Sequence, residues 1–275
     1  MTPYIPVIPS FSEESYYQLL LYYYIIIDSR YSFKIITSFK ITMDPVSEMN
    51  STEKKDLVKK MIIRFSFVPL FIALFTLLPA GTFNYWQVYA YFGVILIPML
   101  FVLRFFLKND PRFLERRTRV AEKEKEQKLI QWINLLVFIS GFIVPGLDKR
   151  FGWSDVPVEI IILTNIIILG GYLIIFNVFR QNSYASRIVE TEKEQKVITT
   201  GLYSIVRHPM YIGVLVMYLP TPLALGSYWG LIPMALLPVS LVFRILNEEK
   251  VLSENLEGYK EYCRKTRYRL IPYIW

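Results

Sequence analysis

The sequence predicts an all-α protein: a polytopic transmembrane bundle of about six spans, with two helical hairpins and a cytoplasmic C-terminal helical tail. Three observations carry that expectation. Hydrophobic residues make up 53% of the chain, above the ~45–50% of ordinary globular domains. They gather in stretches close to the ~20 residues that cross a ~30 Å hydrocarbon core. The charged residues fall mostly in blocks between those stretches.

The first fifty residues read differently from the rest. Residues 16–27 (YYQLLLYYYIII) form a 12-residue apolar run, too short to span and without the basic flank of a secretory signal. Residues 29–48 are aromatic-rich without a helical period. A polar, lysine-rich lead (NSTEKKDLVKK) then begins at Asn50. Met43 or Met49 therefore reads as the native start, and residues 1–48 as an N-terminal extension, non-native or disordered. An interfacial amphipathic segment is the alternative. The membrane domain covers 49–275.

Six spans are expected, at residues 61–78, 85–107, 129–147, 158–179, 209–225 and 229–246. A short turn with Pro79, Gly81 and Asn84 makes the first two a hairpin. Gly226, Ser227 and Tyr228 do the same for the last two. Pro69, Pro98, Pro220, Pro222, Pro233 and Pro238 lie inside spans and predict local kinks, which membrane helices tolerate where neighbours satisfy the backbone. Residues 108–128 read as a charged helical connector, and 247–275 as a tail folded against the end of the bundle.

The basic residues set the orientation. Lys54, Lys55, Lys59 and Lys60, the 108–128 connector, the 180–207 connection and the tail all fall on one side, against Lys149 and Arg150 on the other. Both termini are therefore expected in the cytoplasm. This distribution explains the net charge of +8 by membrane topology, without a nucleic-acid partner. One cysteine, Cys263, and one histidine, His208, exclude an intramolecular disulfide and a cysteine or histidine metal centre.

Two clusters carry the chemistry. Arg207 and His208 precede Pro209, which suits the first turn of a helix and keeps His208 out of helical geometry. The pair thus stands at a helix N-terminus, where free N–H groups and the macrodipole favour an anion. Arg244 is expected in the last turn of the sixth span, with Glu248 four residues on, on the same face, and Glu249 beside it. Ionisable groups at a membrane helix end are costly unless they face a polar cavity. The short turn between spans five and six should bring both clusters together at the cytoplasmic end of one hairpin. A sulfonium cofactor suits such a pocket. Methyl transfer from sulfur dissipates charge and asks for alignment and exclusion of water more than for acid–base groups, so one histidine is no handicap.

The run Arg207-His208-Pro209-Met210-Tyr211, then Arg244, Glu248-Glu249, Tyr259, Tyr262 and Pro272, resembles the C-terminal signature of the isoprenylcysteine carboxyl methyltransferase family. Phospholipid N-methyltransferases have a similar pattern. The resemblance covers about residues 100–275, and its cofactor-binding part 180–275. It implies an integral membrane methyltransferase that uses S-adenosyl-L-methionine, with no metal. His208, Pro209, Met210 and Tyr211, with Tyr203 before them, would line the cofactor site. Gln195, Lys196, Val197 and Ile198 match by spacing. Glu248 would bind the cofactor with Glu249 beside it, Arg244 would meet the acceptor as the catalytic residue, and Arg207 would lie by the substrate. The acceptor would be a lipid-like or prenylated molecule reached from the membrane lipids, with carboxyl O-methylation of an isoprenylcysteine-like substrate the leading expectation. Phospholipid N-methylation and an NADPH-dependent reduction of the sterol-reductase type are the alternatives; the sequence contains no glycine-rich dinucleotide fingerprint for the latter.

Overall fold

The computed structural model describes residues 50–117, 125–182 and 197–275. The expectations for residues 1–48, and those for Gln195 and Lys196, lie outside these residues. Among the described residues every regular element is helical. Five helices among these residues are long and apolar enough to cross a membrane: Thr52–Ala80, Trp86–Asn109, Lys128–Phe151, Val158–Gln181 and Leu231–Asn255.

Helix α1 (Ser51–Ile72) starts ten residues before the expected apolar run because Asn50 caps it. Asn50 Oδ1 accepts from the Glu53 N–H at 2.8 Å, and Glu53 Oε2 accepts from the Asn50 N–H at 3.1 Å. This reciprocal pair satisfies two N–H groups that a helix start leaves open. The helix continues through a π-helical turn, Ala73–Leu77, and stops at Gly81, whose φ of 64° closes the first hairpin. Helix α2 (Trp86–Asn109) ends at Asp110. Asp110 Oδ1 accepts from the Phe113 N–H at 2.9 Å and opens the short α3 (Pro111–Arg117). Helices α4 (Lys125–Phe151) and α5 (Val158–Gln181) follow.

The fifth expected span is corrected. The apolar helix Pro209–Ala224 is shorter than the other five. At ~1.5 Å per residue it covers about 24 Å, less than a ~30 Å core. It is also broken: α6 (Pro209–Tyr218) gives way at Leu219 and Pro220 to the single turn Thr221–Ala224, since Pro220 and Pro222 cannot donate to the preceding turn. The sixth span differs at its other end. After the turn Leu231–Met234, α7 (Leu236–Asn255) runs well past residue 246. Its one proline, Pro238, falls in the first turn and no glycine or further proline follows, so Arg244 lies in the middle of a helix and not in its last turn. Helix α8 (Tyr259–Lys265) starts at Gly258, φ 79°.

Small residues set the closest packing. A Cβ on Gly171 would meet the Met217 nitrogen at 2.8 Å and the Gly213 oxygen at 2.9 Å. The α5 and α6 backbones therefore touch, as membrane helices do where side chains are absent. The end of the bundle away from the tail is tied by Asp148, 1% exposed. Its carboxylate accepts from the Ser154 N–H (2.7 Å), the Ser154 hydroxyl (2.6 Å) and the Ser227 hydroxyl (2.5 Å). Tyr85 adds a hydroxyl donated to the Leu225 carbonyl at 2.6 Å.

Candidate active site

The first cluster is built on the α6 opening. His208 is the N-cap residue, with φ −125° and ψ 58°, and Pro209 is the first helical residue. The tail fixes the backbone here: the Arg207 N–H donates to the Tyr268 carbonyl and the His208 N–H to the Arg269 carbonyl, both at 2.9 Å. Two strongly polar N–H groups at a buried helix start are thereby satisfied.

The second cluster is on α7. Glu249, buried at 9% exposure, gathers three cationic or imidazole groups. Its Oε1 lies 2.8 Å from Arg207 Nε, out of hydrogen-bond alignment, and 3.2 Å from His208 Nε2. Its Oε2 accepts from Arg269 Nε at 2.8 Å. The anion met by Arg207 and His208 is thus the protein's own. The Arg269 guanidinium also lies 5.3 Å from the centroid of the Trp275 ring, a distance at which a cation is attracted to the indole face.

Glu248, one residue earlier, faces elsewhere. The Tyr211 hydroxyl donates to Glu248 Oε2 at 2.5 Å and accepts from Arg244 Nε at 3.0 Å. Arg244 and Glu248 share a helix face, as their spacing predicts, and the Tyr211 hydroxyl stands between them. Tyr211 is 2% exposed and Arg244 4%. Its ring stacks near that of His208, with centroids 5.7 Å apart, so one aromatic residue joins the two clusters. Arg207, Arg244 and Arg269 set three guanidinium groups against the two carboxylates. The cluster as a whole suits an anionic group on a ligand.

Tyr203 belongs to a 3-10 turn, Gly201–Ser204. Its hydroxyl accepts from Asn182 Nδ2 at 3.0 Å, and its carbonyl accepts from the Tyr262 hydroxyl at 2.7 Å. Burial, with Glu248 adding to it, pushes the Tyr203 phenol up to about 12. Val197 lines a cavity of about 370 Å³ with Thr199, Gly258, Glu261, Tyr262 and Lys265. Ile198 and Met210 are half-buried. Among the described residues no group of three or more His, Cys, Asp or Glu side chains could hold a metal.

The structure therefore brings Arg207, His208, Pro209, Tyr211, Arg244, Glu248 and Glu249 into one cluster, with Tyr203 linked through the tail helix. It adds two residues that sequence reasoning did not place in the site. Arg269 reads in sequence as one more basic tail residue, and its only signal is its nearness to Pro272 in the family signature. Asn182 carries no signal at all.

A nucleoside-bearing sulfonium cofactor fits these residues on two structural counts. Glu248 Oε1 has no hydrogen bond among the described residues, because only Oε2 is taken by Tyr211. The Tyr259 hydroxyl is buried with no hydrogen-bond partner among the described residues.

Comparison with known proteins bears on the class of protein. Residues 160–258, a little over a third of the chain, match the family model described as phospholipid methyltransferase. That range holds α6 and α7, the helices that carry the cluster, and most of α5, against which α6 packs. The match points to a membrane methyltransferase and specifies no substrate. Over 109 residues the chain is 28% identical to the delta(14)-sterol reductase TM7SF2 of Mus musculus, across 36% of this chain and 26% of that protein. The chain thus matches about a quarter of the length of that relative.

Proposed function

We propose that this chain is an S-adenosylmethionine-dependent membrane methyltransferase that modifies a lipid-like acceptor at the cytoplasmic face. One observation carries the reading: the Arg207–Tyr211 opening of α6 and the Arg244–Glu249 stretch of α7 meet through Glu249 and the Tyr211 hydroxyl. The match over residues 160–258 supports the same chemistry. The basic flanks at both ends of the domain support placing the site, and both termini, in the cytoplasm.

S-adenosylmethionine supplies an electrophilic methyl group on a sulfonium. The chain's own residues bind, align and exclude water. Glu248, held by Tyr211, offers its second oxygen to cofactor hydroxyl or amino groups. Val197, Tyr203, Pro209, Met210 and Tyr262 supply apolar and aromatic walls. Arg244, one helical turn before Glu248 and so further from the tail, would orient an anionic acceptor with its planar fork. The leading acceptor is an isoprenylcysteine-like carboxylate, which needs no proton removed before it attacks. A phospholipid amine is the alternative, with Arg244 then holding the lipid phosphate.

The identity to a sterol reductase favours one second reading, an NADPH-dependent reduction on the same helical frame. The test is transfer of a labelled methyl group from S-adenosylmethionine to a farnesylated cysteine analogue and to total lipid extract. Label in a base-labile ester of the analogue supports carboxyl methylation. Stable label in phospholipid supports N-methylation. Absence of label from both, with oxidation of NADPH in the presence of an unsaturated sterol, overturns the methyltransferase.

A further inference from the structure

Tyr259 opens helix α8 and is 4% exposed. Its hydroxyl is buried and makes no hydrogen bond among the described residues. Its neighbour Tyr262, with ring centroid 5.9 Å away, has its own hydroxyl bonded to the Tyr203 carbonyl. Native structures seldom leave a buried phenol unsatisfied, and one that persists asks for an explanation. Burial, and then the fields of Glu249 and Glu248, raise the Tyr259 phenol. It is therefore a neutral O–H that can both donate and accept.

The surroundings limit what can complete it. A ligand carboxylate or phosphate would accept the phenolic proton, but both glutamates repel it. An ammonium would satisfy the glutamates and leave the phenolic proton without an acceptor. A ligand hydroxyl does both tasks, since it accepts from Tyr259 and donates to a carboxylate. Glu248 Oε1 is the carboxylate oxygen left open, because Oε2 is committed to Tyr211. A vicinal diol carries one hydroxyl for each of these two residues.

We infer that Tyr259 is a specificity-determining residue that, with Glu248, reads the ribose hydroxyls of a nucleoside cofactor. The inference rests on the methyltransferase reading above and extends it to a residue whose role that reading leaves open. The test is the affinity of the purified full chain in detergent for S-adenosylhomocysteine and for its 2′-deoxy and 3′-deoxy analogues. One neutral hydrogen bond corresponds to about a five- to tenfold change in affinity. Tyr259→Phe should weaken S-adenosylhomocysteine by that factor. At least one deoxy analogue should bind wild type correspondingly weakly and bind Tyr259→Phe no worse. Unchanged affinity in Tyr259→Phe, or an equal loss for all three ligands, overturns the inference and leaves the methyltransferase standing. Should the variant not fold, wild type decides: equal affinity for all three ligands overturns it as well. Failure of wild type to bind S-adenosylhomocysteine overturns the methyltransferase and this inference together.

Discussion

Glu248 and Glu249 are adjacent in sequence and separate in function. Successive helical residues point about 100° apart, so one faces the Tyr211–Arg244 side and the other faces Arg207, His208 and Arg269. Glu249 holds buried positive charge together, and removing one partner of a buried network leaves the others uncompensated. Glu249→Gln should therefore lower stability by roughly 3 kcal/mol, read as an earlier thermal unfolding transition in detergent. Glu248→Gln, at a half-buried position, should leave that transition within a degree or two and weaken S-adenosylhomocysteine binding. Tyr211→Phe should remove the shared hydroxyl from both Arg244 and Glu248. Methyl transfer should fall about 10- to 100-fold, from two lost charge-assisted bonds; an unchanged rate would show that Arg244 is positioned by other contacts. The sequence showed that these residues share a helix face or a helix opening. It could not show which glutamate turns toward which partner, because that depends on the rotation of α7 against α6, fixed only by packing.

At the scale of elements, the α5–α6 contact positions the His208 side of the site. Gly171 and Gly213 let the two backbones approach until a Cβ would collide with backbone atoms. Gly171→Val should push α6 away, lower stability and weaken cofactor binding together. Comparing its loss of binding with that of Glu249→Gln at a matched temperature below both transitions separates displacement from charge. The Asp148–Ser154–Ser227 network offers the opposite case, since it lies at the other end of the bundle. Asp148→Asn should reduce thermal stability while leaving the affinity for S-adenosylhomocysteine within about twofold; a large loss of affinity would mean that the two ends are coupled. Element positions were largely legible from hydropathy and from Gly81, Gly226 and the prolines. The exceptions have physical causes. The Asn50 cap carries α1 into a lysine-rich lead that hydropathy leaves out. The paired prolines 220 and 222 break a run that hydropathy reads as continuous. The long α7 continues because nothing in residues 247–255 stops a helix.

For the whole molecule, the tail completes the site. Backbone bonds from Arg207 and His208 to Tyr268 and Arg269, and the Arg269 side chain on Glu249, join the last residues to the α6 opening. Removal of residues 267–275 should leave membrane insertion intact, since the five long apolar helices remain, and should abolish cofactor binding. Retained binding would show that the clusters hold without the tail. This return of the chain was legible only as a polar tail expected to fold against the bundle. Its pairing partners were hidden because backbone bonds across some sixty residues leave no local sequence pattern. The central claim is that both clusters enclose one site for an S-adenosyl ligand. Calorimetric titration of wild type, Glu248→Ala and His208→Ala with S-adenosylhomocysteine and, separately, with NADPH tests it most directly. The account predicts saturable S-adenosylhomocysteine binding by wild type, lost in both variants while each still unfolds cooperatively, and no NADPH binding. Binding of NADPH in its place, or S-adenosylhomocysteine binding indifferent to both substitutions, would contradict it.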